Sequence, residues 1–439
     1  MSGDGNGPHT SAHPDGTPLP DPGAWRIYRG TGRPRADADP PPPALHEVLP
    51  PPPPWRDFDG GPVDTSPVPD DAREFRRRLG VGPIPGTASE HELDMVNAAL
   101  FLRRPLIVAG PPGIGKSSLA HAVSRELGLG RVLTWSITSR TTLKDGLYSY
   151  DAIGRVQEAA AVGALRGAGA GLPGAEAGST APSEAAAGSG DEAEAAGAGA
   201  DGGPAGLGRL GEYVQLGPLG TALLPRRVPR VLLIDEFDKS DVDLASDLLG
   251  VFEEGEYRIP ELARVRSRLP DVRVHTDDPD GTALIHHGRV RCAAFPFVVI
   301  TSNGERTLPP AFLRRCLYLE MPAPGPEQLA ALLAAQFGTQ DGAGPAGGTD
   351  GALGAAADGV SEGSAGSAAD GASEGDGASE ADGRAEMIHQ FLARARAGGT
   401  LAADQLMNSE YLRTLPTGPD QAAWNRLVQS LWRRLDEGP

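Results

Sequence analysis

At 439 residues the chain has room for about three domains, but its 60 glycines and 42 prolines gather in stretches that cannot build a core. Its net charge of −18 argues against a general nucleic-acid binder, which needs a basic footprint. The two cysteines, Cys292 and Cys316, fit no zinc spacing and read as buried, reduced thiols. The start, Met1-Ser2-Gly3-Asp4-Gly5, lacks the basic and apolar parts of a secretory signal, and no apolar run is long enough to cross a bilayer. The expectation is a soluble, cytoplasmic protein.

Residues 1–80 are rich in Pro, Gly and Asp, with Pro40 to Pro43 and Pro50 to Pro54 as proline runs, and are expected to be disordered or polyproline-like. Trp25 and Trp55 stand out there as docking anchors or local packing residues. Order is expected from Ser89, which forms a capping box with Glu92 and opens a helix whose Leu93, Val96 and Leu100 share a face.

The apolar run Pro105 to Ala109 then leads into Gly110-Pro111-Pro112-Gly113-Ile114-Gly115-Lys116-Ser117, followed by a helical stretch from Ser117 to Leu127. This is the spacing G-x-x-x-x-G-K-[ST], between a buried strand and a helix N-terminus. The glycines let the backbone wrap around a phosphate chain with its N–H groups pointing inward. Lys116 places a charge at the β- and γ-phosphates, the Ser117 hydroxyl is a hard ligand suited to Mg²⁺, and Ser118 completes the nucleotide-binding stretch.

Val132 to Ile137 reads as a second strand, and the segments 145–159 and 212–224 flank an Ala/Gly-rich insertion at about 161–208. That insertion carries six acids against the single base Arg166, and a second at about 339–383 carries nine acids and no base. Together they hold 14 of the 18 net negative charges, so the acidity belongs to solvated low-complexity loops.

Val231-Leu232-Leu233-Ile234 runs into Asp235-Glu236, as in a central parallel strand with carboxylates at its C-terminal edge. Asp235 is placed to hold Mg²⁺ and Glu236 to polarise the attacking water. A hairpin is expected between Val272-Arg273-Val274 and Val290-Arg291-Cys292, with His286-His287 as exposed loop residues. Phe297 to Ser302 is another buried strand, ending at Asn303, whose amide suits the γ-phosphate and the water. Leu317-Tyr318-Leu319 closes the sheet. The pair Arg314-Arg315 just before it is placed to reach a neighbouring subunit's nucleotide. Helices 327–337, 385–397, 402–412 and 420–435 form a small bundle interrupted by the second insertion.

With GPPGIGKS, LLIDEFDKS, TSNGERTLPPAFLRR and the gate-like stretch Leu216 to Leu224, the sequence resembles the AAA+ ATPases, and within them the MoxR-like branch of dynein-related AAA type. The resemblance covers about 85–439 apart from the insertions. It implies an α/β fold of P-loop NTPase type, with an ASCE parallel sheet sandwiched by helices over 81–322 and a small C-terminal helical lid over 323–439. It further implies ATP and Mg²⁺ as ligands, ring assembly that is typically hexameric, and remodelling of a client protein, often with a von Willebrand A-domain partner. The family's finger position maps to Arg315, with Arg314 where an acid is common. One departure is plain: Thr400 to Gln405, where the lid usually opens with a Pro-Arg sensor, holds no arginine, leaving Arg413, Arg426 or Arg433 as substitutes. Other readings are a nucleotide-gated scaffold with slow hydrolysis, a restriction-type GTPase, and a small-molecule kinase. The last leaves Asn303 and the C-terminal bundle without a role.

Overall fold

The computed structural model describes residues 23–80, 88–169, 209–337, 374–396, 401–414 and 421–432. Most of the first insertion, most of the second and Arg433 lie outside the described residues. The strands, in chain order, are β1 (Leu106–Ala109), β2 (Leu133–Ser136), β3 (Tyr148–Tyr150), β4 (Val214–Leu216), β5 (Val231–Asp235), β6 (Glu256–Arg258), β7 (Asp271–His275), β8 (Thr282–His286), β9 (Arg289–Arg291), β10 (Phe297–Ser302) and β11 (Leu317–Glu320).

Five of them form a wholly parallel sheet in the order β11-β1-β10-β5-β2. β10 therefore lies between the phosphate-loop strand and the acidic strand, the ASCE arrangement. Side chains alternate across a strand, so each aliphatic run feeds two cores. Leu106, Val108, Val231, Leu233, Phe297 and Val299 face one core, shared with helices Glu90–Leu102 and Lys116–Leu127. Ile107, Leu232, Ile234, Val298 and Ile300 face the other, shared with helix Val242–Glu254 and the second sheet. No helix among the described residues is long and apolar enough to cross a membrane.

The second sheet, ordered β3-β4-β7-β8-β9-β6, changes one expectation. β7 pairs with β8, not with the strand at Val290, which is β9 and pairs antiparallel to β6 and, through a single register pair, to β8. β8 was masked in the sequence by the exposed Leu284, which breaks a simple apolar/polar alternation. His286 accordingly lies on a strand, with Nδ1 at 2.7 Å from Asp271 Oδ1. Both cysteines are buried and unpaired, and burial pushes their thiols up to about 12.

The expectation of disorder up to residue 80 is corrected for residues 23–80, which lie along the core. The Asn97 side chain accepts from the N–H groups of Ile27 (2.8 Å) and Tyr28 (3.0 Å) and donates to Tyr28 O (2.8 Å). Glu126 accepts from the N–H groups of Arg29 and Thr31, both at 2.7 Å. Arg56 lies 4.3 Å above the Phe295 ring and donates to Phe252 O at 2.6 Å. A Pro-rich strap cannot build its own ladder; here acceptors on the core satisfy it instead. Trp25 meets Phe101 edge-on at 5.6 Å, whereas Trp55 is largely exposed.

The C-terminal helices Pro326–Phe337, Glu374–Arg396, Ala403–Thr414 and Gln421–Leu431 close on their own core of Leu329, Leu333, Ile388, Phe391, Leu406 and Trp432. The second of these begins inside the segment expected to be an insertion.

One buried ion pair ties the turn between β7 and β8 to the root of β5. Arg230 grips Asp278 with both guanidinium nitrogens, at 2.7 and 2.8 Å, and is fully buried. Burial would raise the Asp278 pKa, but the Arg230 hydrogen bonds outweigh it and the net shift is downward. A depressed carboxyl stabilises the fold above its unfolded pKa, and that contribution disappears as pH falls through the folded value. Asp278→Ala leaves a buried guanidinium without its carboxylate and is expected to cost about 3–5 kcal/mol in urea unfolding at neutral pH.

Candidate active site

The phosphate loop follows directly from β1. Gly110, Gly113 and Gly115 take φ of 153°, 75° and 93°. The N–H groups of Gly113, Ile114, Gly115, Lys116 and Ser117 have no backbone acceptor among the described residues. They crowd at the N-terminus of helix Lys116–Leu127, so the loop is a nest of donors suited to an anion. Lys116 Nζ donates to Gly110 O (2.7 Å), Pro111 O (2.7 Å) and Asn303 Oδ1 (2.8 Å). Burial lowers its pKa, and the carboxylates of Asp238, Asp235 and Glu236 oppose that shift.

Beside it, Asp235 Oδ1 accepts from Ser117 Oγ at 2.7 Å and from Thr301 Oγ1 at 2.6 Å. The same Thr301 hydroxyl accepts from the Glu236 N–H at 2.8 Å. Glu236 takes a left-handed φ of 60°, unusual for a residue with a side chain, and its carboxylate pairs with Lys239 at 2.7 Å. Asp238 is buried and accepts from the N–H groups of Asn303 (3.0 Å) and Glu305 (3.1 Å), fixing the turn after β10. Thr301 and Asp238 were not singled out from the sequence. The only trace of their roles is position: Thr301 lies one residue before the end of a buried strand, and Asp238 two residues after the paired acids.

Lys116, Ser117, Asp235 and Asn303 thus come together, and Glu236 joins them through Thr301. Arg314 and Arg315 do not. Arg314 is exposed, with its carbonyl taken by Arg104 at 3.0 Å. Arg315 is ion-paired with Glu253 and donates to Ala311 O at 3.2 Å.

The lid reaches the loop through its backbone. Ala403 N–H donates to Gly113 O at 3.2 Å, at the start of helix Ala403–Thr414. Of the arginines that could sense phosphate from the lid, Arg413 is bonded to Glu410 (2.8 and 2.9 Å), which also accepts from Arg384, and Arg426 is exposed.

Ile114, Gly115 and Ser118 also line a cavity of about 200 Å³, together with Tyr28, Glu92, Met321 and Gln328. Burial raises the Glu92 carboxyl to about 7.

A parallel sheet in this order, with a phosphate loop after β1 and paired acids at the end of β5, is the α/β fold of the P-loop nucleoside triphosphatases. Residues 105–316 match the family model described as the AAA domain of the dynein-related subfamily. No curated protein matches the chain.

The lid contact yields a direct test. A Cβ added at Gly113 would lie 2.3 Å from Ala402 Cβ, at a φ that already disfavours side chains. Gly113→Ala is expected to push the C-terminal helices off the loop, weakening nucleotide binding in calorimetric titration by about tenfold or more, the equivalent of ~1.4 kcal/mol.

Proposed function

We propose that the chain binds Mg–ATP at this site and hydrolyses it. The observation that supports this most is the continuous hydrogen-bond chain from Asn303 through Lys116 to the loop carbonyls, beside that from Ser117 through Asp235 and Thr301 to Glu236. Lys116 is already held where a β- or γ-phosphate oxygen would replace its carbonyl partners. The unpaired loop N–H groups are ready for the α- and β-phosphates.

Ser117 and Asp235 present hard oxygens that fit Mg²⁺, whose charge would offset that of the β- and γ-phosphates. Glu236 accepts the proton of the attacking water as its oxygen closes on the γ-phosphorus and the bond to the β-phosphate oxygen breaks. Asn303, steadied by Asp238, orients that water and a γ-phosphate oxygen. The Thr301 bridge sets the Glu236 backbone relative to Asp235.

The assembly is read as a ring, hexameric by family resemblance, in which Arg315 leaves Glu253 for the nucleotide of the neighbouring subunit and Arg314 supports it. The MoxR-like role, remodelling a client protein with a von Willebrand A-domain partner, is proposed from the same motifs.

Two variants test this. Glu236→Gln is expected to bind Mg–ATP as the parent does while steady-state phosphate release falls by about 10²-fold or more. Equal turnover would remove Glu236 from the water's path. Arg315→Ala is expected to lower turnover by about 10³-fold or more. Its activity should recover in mixtures with a Lys116→Ala chain, whose intact Arg315 serves the variant's sites. No recovery, or a monomer in sedimentation with ATP and Mg²⁺, would rule out the shared site.

A further inference from the structure

The cavity beside the phosphate loop holds two polar groups that the hydrolytic chemistry does not use. One is the Tyr28 hydroxyl, brought in by the N-terminal strap; the other is the Glu92 carboxyl, in the first turn of helix Glu90–Leu102. Neither side-chain group has a hydrogen-bond partner among the described residues. They feel each other: after burial, the Glu92 and Glu126 carboxylates are what drive the Tyr28 hydroxyl upward. Two such groups lining one cavity beside the phosphate loop suit a ligand with matching donors and acceptors. The rest of the lining that faces them is largely apolar, with Ile114, Leu119, Leu332 and Met321 forming walls that suit a flat ring.

The geometry points to Glu92, assisted by Tyr28, as the group that reads the purine base of the bound nucleotide and selects between adenine and guanine. This rests on the reading of the phosphate loop as a nucleoside triphosphate site, whose Ile114, Gly115 and Ser118 line the same cavity as Glu92. The selection follows from the edges of the two bases. Adenine offers a ring-nitrogen acceptor beside an amino donor; a carboxylic acid, with one donor and one acceptor, matches it. Guanine offers two adjacent N–H donors on the equivalent edge, and an ionised carboxylate, acceptor only, matches that.

Burial keeps Glu92 protonated up to about pH 7, so adenine is favoured below that point and guanine gains above it. The other charged or titratable groups around the cavity are Tyr28 on the strap, Arg78 on helix Ala72–Leu79, Arg125 on the phosphate-loop helix and Glu320 at the end of β11. Arg78 is engaged by Glu74, and Glu90, His91 and Asp94 are the titratable neighbours on Glu92's own helix.

The test measures equilibrium binding of ATP, GTP and inorganic triphosphate, each with Mg²⁺, to the full chain and to its Glu92→Gln and Tyr28→Phe variants. Binding is compared at about pH 6 and about pH 8.5, either side of the raised carboxyl. In the parent, the preference for ATP over GTP should fall by about tenfold or more between the two conditions. In Glu92→Gln, whose amide keeps both a donor and an acceptor at any pH, the preference should stay high and flat. Tyr28→Phe should narrow it, and triphosphate binding should be the same in all three chains. Triphosphate binding with an ATP:GTP ratio equal in the parent and Glu92→Gln at both pH values would overturn the base assignment alone. Failure of all three ligands to bind the parent would overturn the nucleotide site itself, and this assignment with it.

Discussion

Everything at the site depends on the register of three neighbouring parallel strands. β10 pairs with β1 as Val299 with Leu106 and with β5 as Ile300 with Ile234, so β1, β10 and β5 end at one edge. Asp235, Thr301 and the phosphate loop then meet within hydrogen-bond distance, and Asn303 arrives at Lys116 one residue after the strand stops. A slip of one residue in β10 would exchange its two faces, sending Val298 and Ile300 into the wrong core and turning Thr301 away from Asp235. The same aliphatic alternation that builds the two cores therefore also places the polar edge where these residues meet. Stability and site geometry are one constraint here, and the site gains its precision from rigid strands more than from its loops.

How much of this can be read from the chain follows from how local each signal is. The phosphate loop, the paired acids and the strands around them are legible because each is a contiguous run whose residue types carry their own physics. Asp238 and Thr301 are not, because their roles exist only across a separation of more than sixty residues. The strap at residues 23–80 misleads for a related reason. Its composition describes a segment that cannot order itself, and that is true; the order is supplied by Asn97 and Glu126 on helices whose own sequences give no hint of a guest. β8 fails differently, because an exposed Leu284 disguises a strand whose buried face is only Ala283 and Ile285.

The lid shows a further consequence of the missing arginine. Where a charged side chain would carry information between phosphate and lid, this chain has a backbone contact from Ala403 to Gly113 and a close approach of Ala402 that only glycine permits. A helix N-terminus set against the phosphate loop has a positive end of its own, so it can respond to added negative charge without an arginine. The strength of such coupling is modest and short-ranged, which suits C-terminal helices that pack on a small core of their own around Leu406 and Trp432.

Strap, lid and phosphate loop then share one cavity wall, with Tyr28, Gln328 and Ile114 contributed by three segments distant in sequence. A ligand filling that space would touch all three at once, while the sheet beneath it, packed on both faces, has no comparable freedom to move. Differential contact with two arrangements is the requirement for a ligand to shift an equilibrium. The strap continues from the cavity to Arg56, which bonds the Phe252 carbonyl next to Glu253, the partner of Arg315. One covalent segment thus runs from the cavity to Arg56, and a hydrogen bond followed by an ion pair links it onward to Arg315.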